Sequence, residues 1–223
     1  MIVAAHQPDL LPYSGFWYKM HQSNVFELGI YYQFVDRGYQ RRVKMRDQWA
    51  SLPIVTPPTR STPIKDVMLQ PGANQALIDI IRGRYAAARY YKTAGAELVD
   101  RIGAIQTDRL WQFNLELILG VRDMLGITTP VAIGAPLRGV KSAAIVNSLM
   151  RYGSVTTHLA GTGAKEYMGT CEEFTAVGID VEWSRHQPTT GDSIVSVLMD
   201  YKNPLSIVLA ERRGVVNPVE SFA

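Results

Sequence analysis

The sequence predicts an α/β protein: a mainly parallel sheet with helices on both faces and a helical lobe near residues 72–126. Three observations carry this. A short apolar run, Ile2–His6, opens the chain and stops at a Pro/Gly-punctuated turn. Strand-like and helix-like segments alternate again after residue 130, as they do in parallel sheets. Between the two stretches the apolar residues recur at helical spacing.

Each element has its reason. Residues 2–6 read as the first strand, and Ser14 to Gln22 as a helix with Tyr13, Phe16, Trp17 and Met20 along one face. Val25 to Phe34 is rich in β-branched and aromatic residues and reads as a second strand, with Gly38 to Met45 as its hairpin partner. Leu52 to Thr56 reads as another short strand, closed by Pro57-Pro58. Five prolines between Pro53 and Pro71 mark an extended surface connection. Asn74 caps a helix carrying Leu77, Ile80, Ile81 and Tyr85, Ala94 to Ile102 forms a second, and Asp108 opens a third that ends at Gly126. Then come a strand at Val131–Gly134, a helix at Ser142–Arg151, a strand at Thr156–Ala160, the turn Gly161-Thr162-Gly163 with a helix from Ala164, a strand at Ile179–Ser184 and a helix at Ser193–Tyr201. The sum is a Rossmann-like arrangement in one α/β domain, 1–223, with the lobe as an insertion.

Composition excludes several classes. With 47% hydrophobic and 19% charged residues and a net charge of +3, the chain reads as ordinary globular protein, and nucleic-acid binding is not required. No apolar run approaches the ~20 residues that span a bilayer. No basic region precedes the first apolar stretch, so neither a membrane nor a signal peptide is expected, and the expected location is cytoplasmic. One cysteine, Cys171, excludes an internal disulfide and a multi-Cys metal site. The four histidines lack metal-ligand spacing, so no metal is assigned. There is no Gly-x-Ser-x-Gly elbow for serine hydrolase chemistry. The cofactor is unknown.

His6 is the first functional candidate, because ligands in open α/β sheets sit beyond the carboxyl ends of strands. It would serve as general base, with Gln7 orienting a substrate through its amide; the plainer reading is a buried histidine bonded to backbone. Lys19, on the following helix, would reach a phosphate or carboxylate, or else is simply a solvated lysine. Arg37, Arg41, Arg42, Lys44 and Arg46 form the densest positive patch. Arg42 would clamp an anion there, or the charges protect an edge strand. The segment Gly161-Thr162-Gly163-Ala164-Lys165 follows the logic of a phosphate cradle, although it is neither a Walker A motif nor a dinucleotide fingerprint; a tight β/α turn explains it equally.

His6-Gln7-Pro8, Leu11-Pro12, Gly15-Phe16, Lys19, Ser23, Phe26 and Gln33 together resemble the opening signature of the WbqC-like proteins. The likeness continues through Arg42, Leu52-Pro53-Ile54, Asn114, the segment Leu159 to Tyr167 and Gly178-Ile179, nearly the whole chain in order. It adds Gln33, Asn114, Lys165 and Tyr167 to the candidate substrate-binding residues and strengthens His6. It implies small-molecule biosynthesis, members of that family standing among O-antigen and other polysaccharide genes and in natural-product pathways. No mechanism comes with it. The chain departs from the family pattern at Asn24, Ile30 and Tyr31, where acids are expected, at Arg41, and at His186-Gln187-Pro188-Thr189-Thr190.

Three functions follow as expectations. The first is a transferase moving an acyl or aminoacyl group onto a small amine or sugar, with His6 as base and an anionic group on the substrate. The second is a nucleotidyl-transfer enzyme, although Phe16 stands after Gly15 where such enzymes carry histidine. The third is a non-catalytic binding protein of a biosynthetic complex. A homodimer is left open.

Overall fold

The structure, a computed structural model, describes residues 1–55, 61–139, 141–184, 186–187 and 190–210, and of Tyr167 the backbone alone. The expected strand at Leu52–Thr56 and the segment His186–Thr190 therefore lie partly outside the described residues.

Strand β1 (Ile2–His6) leads through helix α1 (Ser14–Gln22) to β2 (Val25–Leu28). A hairpin of β3 (Arg42–Met45) and β4 (Gln48–Ser51) precedes the helical lobe: α2 (Ala73–Tyr85), α3 (Ala96–Ala104) and α4 (Leu110–Met124). The second half runs β5 (Val131–Ile133), α5 (Lys141–Leu149), β6 (Thr157–Ala160), α6 (Lys165–Met168), α7 (Glu172–Thr175), β7 (Asp180–Trp183), α8 (Ile194–Asp200) and α9 (Pro204–Leu209). The large sheet has the order β5-β2-β1-β6-β7, and every pairing in it is parallel. Counted along the chain, its five strands lie 3-2-1-4-5, the Rossmann order.

Burial on both faces explains the unbroken apolar run of β1. Val3 packs with Ile145, Leu149, Phe174 and Ile179 on one side of the sheet. Ala4, its neighbour, faces Phe16, Trp17 and Phe26 on the other. Leu77, Ile81, Tyr85, Leu98, Ile102 and Phe113 of the lobe belong to that second cluster, so the lobe packs onto the α1 face of the sheet.

Several expected elements are corrected. Strand β2 ends at Leu28 and does not reach Phe34. Gly38 to Met45 does not pair with it, because β1 and β5 already occupy both edges of β2. Instead Arg42–Met45 pairs with Gln48–Ser51 across the two-residue turn Arg46-Asp47, whose φ values of 53° and 60° make it a primed hairpin turn. Ile54 makes a single bridge to Leu69 in place of a strand. Gly72, not Asn74, occupies the cap position of α2, at φ 81°. Arg109, not Asp108, occupies the cap position of α4, and α3 runs Ala96–Ala104 where Ala94–Ile102 is expected; α4 stops just before Gly126, at φ 69°. Helix α9, with its Asn203 cap accepting the Ser206 amide at 3.2 Å, lies beyond the last helix that the sequence pattern predicts.

Candidate functional site

From β1 the chain turns to β2 on one side; from β6 it turns to β7 on the other. The loops diverge, and the divergence opens a crevice beyond the carboxyl ends of β1 and β6, where open α/β sheets bind ligands. A cleft of about 640 Å³ lies there. His6, Gln7 and Asp9 line it from the end of β1, Gly161 to Ala164 from the end of β6, and Lys141 from the start of α5.

The loop from His6 to Tyr13 is held by partners distant in sequence. The Asn114 amide, on α4, donates to the carbonyls of Pro8 and Gln40, each at 2.7 Å. Trp17 donates its indole N–H to Pro12 O at 3.0 Å, and Ser193 its hydroxyl to Leu11 O at 2.6 Å. Leu10 N donates to Tyr39 O at 2.9 Å. With so many restraints Leu11 tolerates φ 40° while fully buried.

Three titratable groups meet at this loop: half-buried His6, buried Asp9, and Lys19, buried and reaching the loop from α1. His6 Nδ1 lies 3.1 Å from Gln7 O and 3.5 Å from Asp9 Oδ2. The tautomer that donates Nδ1–H to Gln7 O leaves the Nε2 lone pair as an acceptor. Burial, helped by the Lys19 charge, lowers the His6 pKa to about 3, so the imidazole is neutral and its contact with Asp9 is not an ion pair. Burial lifts Asp9 to about 7 against the pull of Lys19, and lowers Lys19 to about 8 against the pull of Asp9. Lys19 Nζ donates to Ala5 O at 3.2 Å. Asp9 Oδ1 is buried with no hydrogen-bond partner among the described residues. From β6, His158 also reaches the cleft, its Nδ1 3.1 Å from Val3 O; burial and then Lys19 hold its pKa down to about 4. The arrangement presents a neutral imidazole acceptor, a carboxyl poised near neutrality and a buried cation that lacks a full counter-charge.

Of the residues expected from the sequence, the cleft gathers His6, Gln7, Lys19 and Gly161. Gln7 Oε1 accepts from Gln40 Nε2. Asn114 is buried away from the cleft, its amide committed to the two carbonyls. Arg42 stands on the hairpin with its guanidinium 4.1 Å from the Trp49 ring centre. Gln33 makes a backbone bridge to Pro63 with its side chain exposed. Lys165 is exposed, 5.3 Å from the Trp183 ring centre, and lines a neighbouring depression. The Tyr167 side chain lies outside the described residues.

Gly161 and Gly163 have open space where a Cβ would stand, and neither takes a positive φ. Neither backbone geometry nor packing requires glycine at these positions. Gly163 lies within a 3₁₀ turn, Thr162–Ala164, and the helix after it has four residues, too short for the helix-dipole contribution expected there.

Sequence reasoning missed Asp9, His158, Lys141, Tyr13, Tyr32 and Tyr39, all of which line the cleft. The spacing of Asp9, three residues after His6, was the available signal. Parallel pairing sets Val3 beside His158, across 155 residues of chain, and no local pattern announces that. Of the departures from the family pattern, Asn24, Ile30, Tyr31 and Arg41 do not line the cleft. Asn24 Oδ1 accepts Ile2 N at 2.7 Å, at the opposite end of β1, and Arg41 pairs with Asp36 at 2.9 Å.

Among the described residues no helix is long and apolar enough to cross a membrane, and no group of His, Cys, Asp and Glu side chains is placed to hold a metal ion. The model of the WbqC-like protein family matches residues 7–207 of the 223. No curated protein and no solved structure matches the chain.

Proposed function

The chain belongs to the WbqC-like protein family, and we propose that it is an enzyme of small-molecule biosynthesis that transfers an acyl or aminoacyl group to a small amine or sugar. The observation that carries this reading is the half-buried His6 beside buried Asp9 and Lys19 at the sheet's switch point. Lys19 holds an anionic group of the substrate, completing a counter-charge that Asp9 supplies only in part. Gly161 and Gly163 leave backbone open for the substrate to approach. The acceptor nitrogen or oxygen attacks the acyl carbon, its proton passes to His6 Nε2, and the donor's leaving group departs with the bonding pair. Ionised Asp9, 3.5 Å from His6, stabilises the imidazolium that forms. Desolvation opposes it most and the Lys19 charge second; a substrate anion that neutralises Lys19 removes the second of these and raises the basicity of His6.

The test is turnover of activated acyl and aminoacyl donors with amine and sugar acceptors. His6→Ala is expected to lose about 10²–10⁴-fold in kcat. A His6→Ala variant that folds and supports the pathway as well as the parent overturns catalysis and leaves the binding-protein reading.

The 3-2-1-4-5 order and the open glycine loop favour a second reading, nucleotidyl transfer, by analogy of fold. Calorimetric titration separates the two. Tight ATP or CTP binding at the cleft supports the second reading, and its absence removes it.

A further inference from the structure

Large hydrophobic side chains left in water are unevenly placed on this protein. Tyr13 is 43% exposed, Tyr39 57% and Leu137 37%, and all three line the same cleft. Trp49, 42% exposed, stands beside Tyr39 with ring centres 5.9 Å apart. Single exposed apolar residues need no explanation, but their gathering at one mouth does.

The backbone is shaped around two tyrosine rings of the cleft, Tyr13 and Tyr32. A Cβ on Gly15 would lie 2.5 Å from the Tyr13 ring, and one on Gly29 would lie closer still to the ring of Tyr32, which also lines the cleft. Both tyrosines thus rest on glycine, in positions that any other residue beneath them would disturb. On the outer side Tyr39 leans on Trp49, and Trp49 is covered in turn by the Arg42 guanidinium. Arg42, which makes no wall of the cleft itself, has a place in this scheme as the last layer of the stack. The Tyr13 phenol stays neutral, since burial and then the nearby Asp9 and Tyr39 raise its pKa. The mouth is aromatic and uncharged at Tyr13, whereas the cleft holds the buried cation Lys19.

We propose that Tyr13, Tyr32 and Tyr39 form a ring subsite, which takes the flat aromatic or heteroaromatic ring of a substrate whose anionic group is held by Lys19. Aromatic faces attract flat rings by stacking, and the rings here are held in place by the glycine backbone and the Trp49–Arg42 stack they pack against. This inference rests on the anion role of Lys19 in the proposed function and adds the chemistry of the substrate's other end. Two sources share that chemistry, a nucleotide and an aromatic carboxylic acid.

The test is calorimetric titration of the full chain with four probes: AMP, ribose 5-phosphate, 4-hydroxybenzoate and inorganic phosphate. At least one ring-bearing probe is expected to bind about tenfold more tightly than the ringless anions. Tyr39→Ala is expected to erase that advantage while leaving phosphate affinity unchanged; its side chain is exposed, so the variant folds, as circular dichroism would verify. Preference for AMP identifies a nucleotide, and preference for 4-hydroxybenzoate an aromatic acid. Equal binding of ringed and ringless anions overturns the ring subsite alone, as does an advantage that survives both Tyr39→Ala and Tyr13→Ala. Failure of the parent to bind any of the four overturns the subsite and the Lys19 anion role together.

Discussion

Asp9 is a carboxyl group placed where ionisation is costly. Burial raises its pKa from 3.8 to about 7, so over that interval the folded protein keeps a proton that the unfolded chain has released. Stability from this group is complete below the lower value and is lost as pH rises through the higher one. Asn at this position is neutral at every pH and avoids the loss. The melting temperature of Asp9→Asn, relative to the parent, is therefore expected to rise across that interval and level off above it. Each kcal/mol relieved moves the midpoint by about 2–4 °C in a chain of this size. A difference that stays flat over the interval refutes the raised pKa. Lys19 has the opposite sign: its pKa is lowered to about 8, so its contribution is present above 10.5 and lost as pH falls through about 8. Below that the buried ammonium is charged, and an anionic ligand relieves its cost.

At the scale of elements, the site depends on how the β1–α1 loop is held. Asn114 on α4 joins that loop to the Gln40 segment through one amide and two buried carbonyls. Asn114→Leu keeps the branched shape at a larger volume and removes both donors, leaving Pro8 O and Gln40 O without that partner. The expected cost is about 2–4 kcal/mol, read as a lower midpoint in urea with an unchanged slope. A loss below 0.5 kcal/mol, roughly the scatter of ordinary surface substitutions, would mean that the loop is held by its other partners. The family resemblance drew attention to Asn114 as a binding residue, and the structure places it as a support for the loop that carries His6 and Asp9. Strands and helices with strong local periodicity were legible in the sequence: Ile2–His6 and Ser14–Gln22 fall where the pattern places them. The hairpin was not, because whether Gly38–Met45 can pair with β2 depends on β5, whose place in the sheet is set more than 80 residues later. His6 and Gly161 were legible because strand ends are local features, and Lys19 because it falls on the helix that follows the first strand. His158 and the tyrosine rim depend on which strands become neighbours, and short-range spacing does not carry that information.

At the scale of the whole molecule, the helical lobe interrupts the chain between the second and third strands of the parallel sheet without making a core of its own. Phe113, Leu117 and Ile81 share one cluster with Trp17 and Phe26. Segments that bury their apolar faces against each other lose that burial together, so we propose that lobe and sheet unfold as a single domain. About half of the residues in the α-helices lie in the lobe, so a lobe that unfolds separately shifts a large part of the far-ultraviolet signal. Trp17, fully buried at the sheet, reports on the other partner once Trp49, Trp111 and Trp183 are replaced by Phe. The two urea transitions of that variant are expected to coincide. A helical transition that precedes or follows the Trp17 transition would make the lobe a separate unit. In that case the Asn114 tie from lobe to loop would be the point at which unfolding of the lobe releases the site.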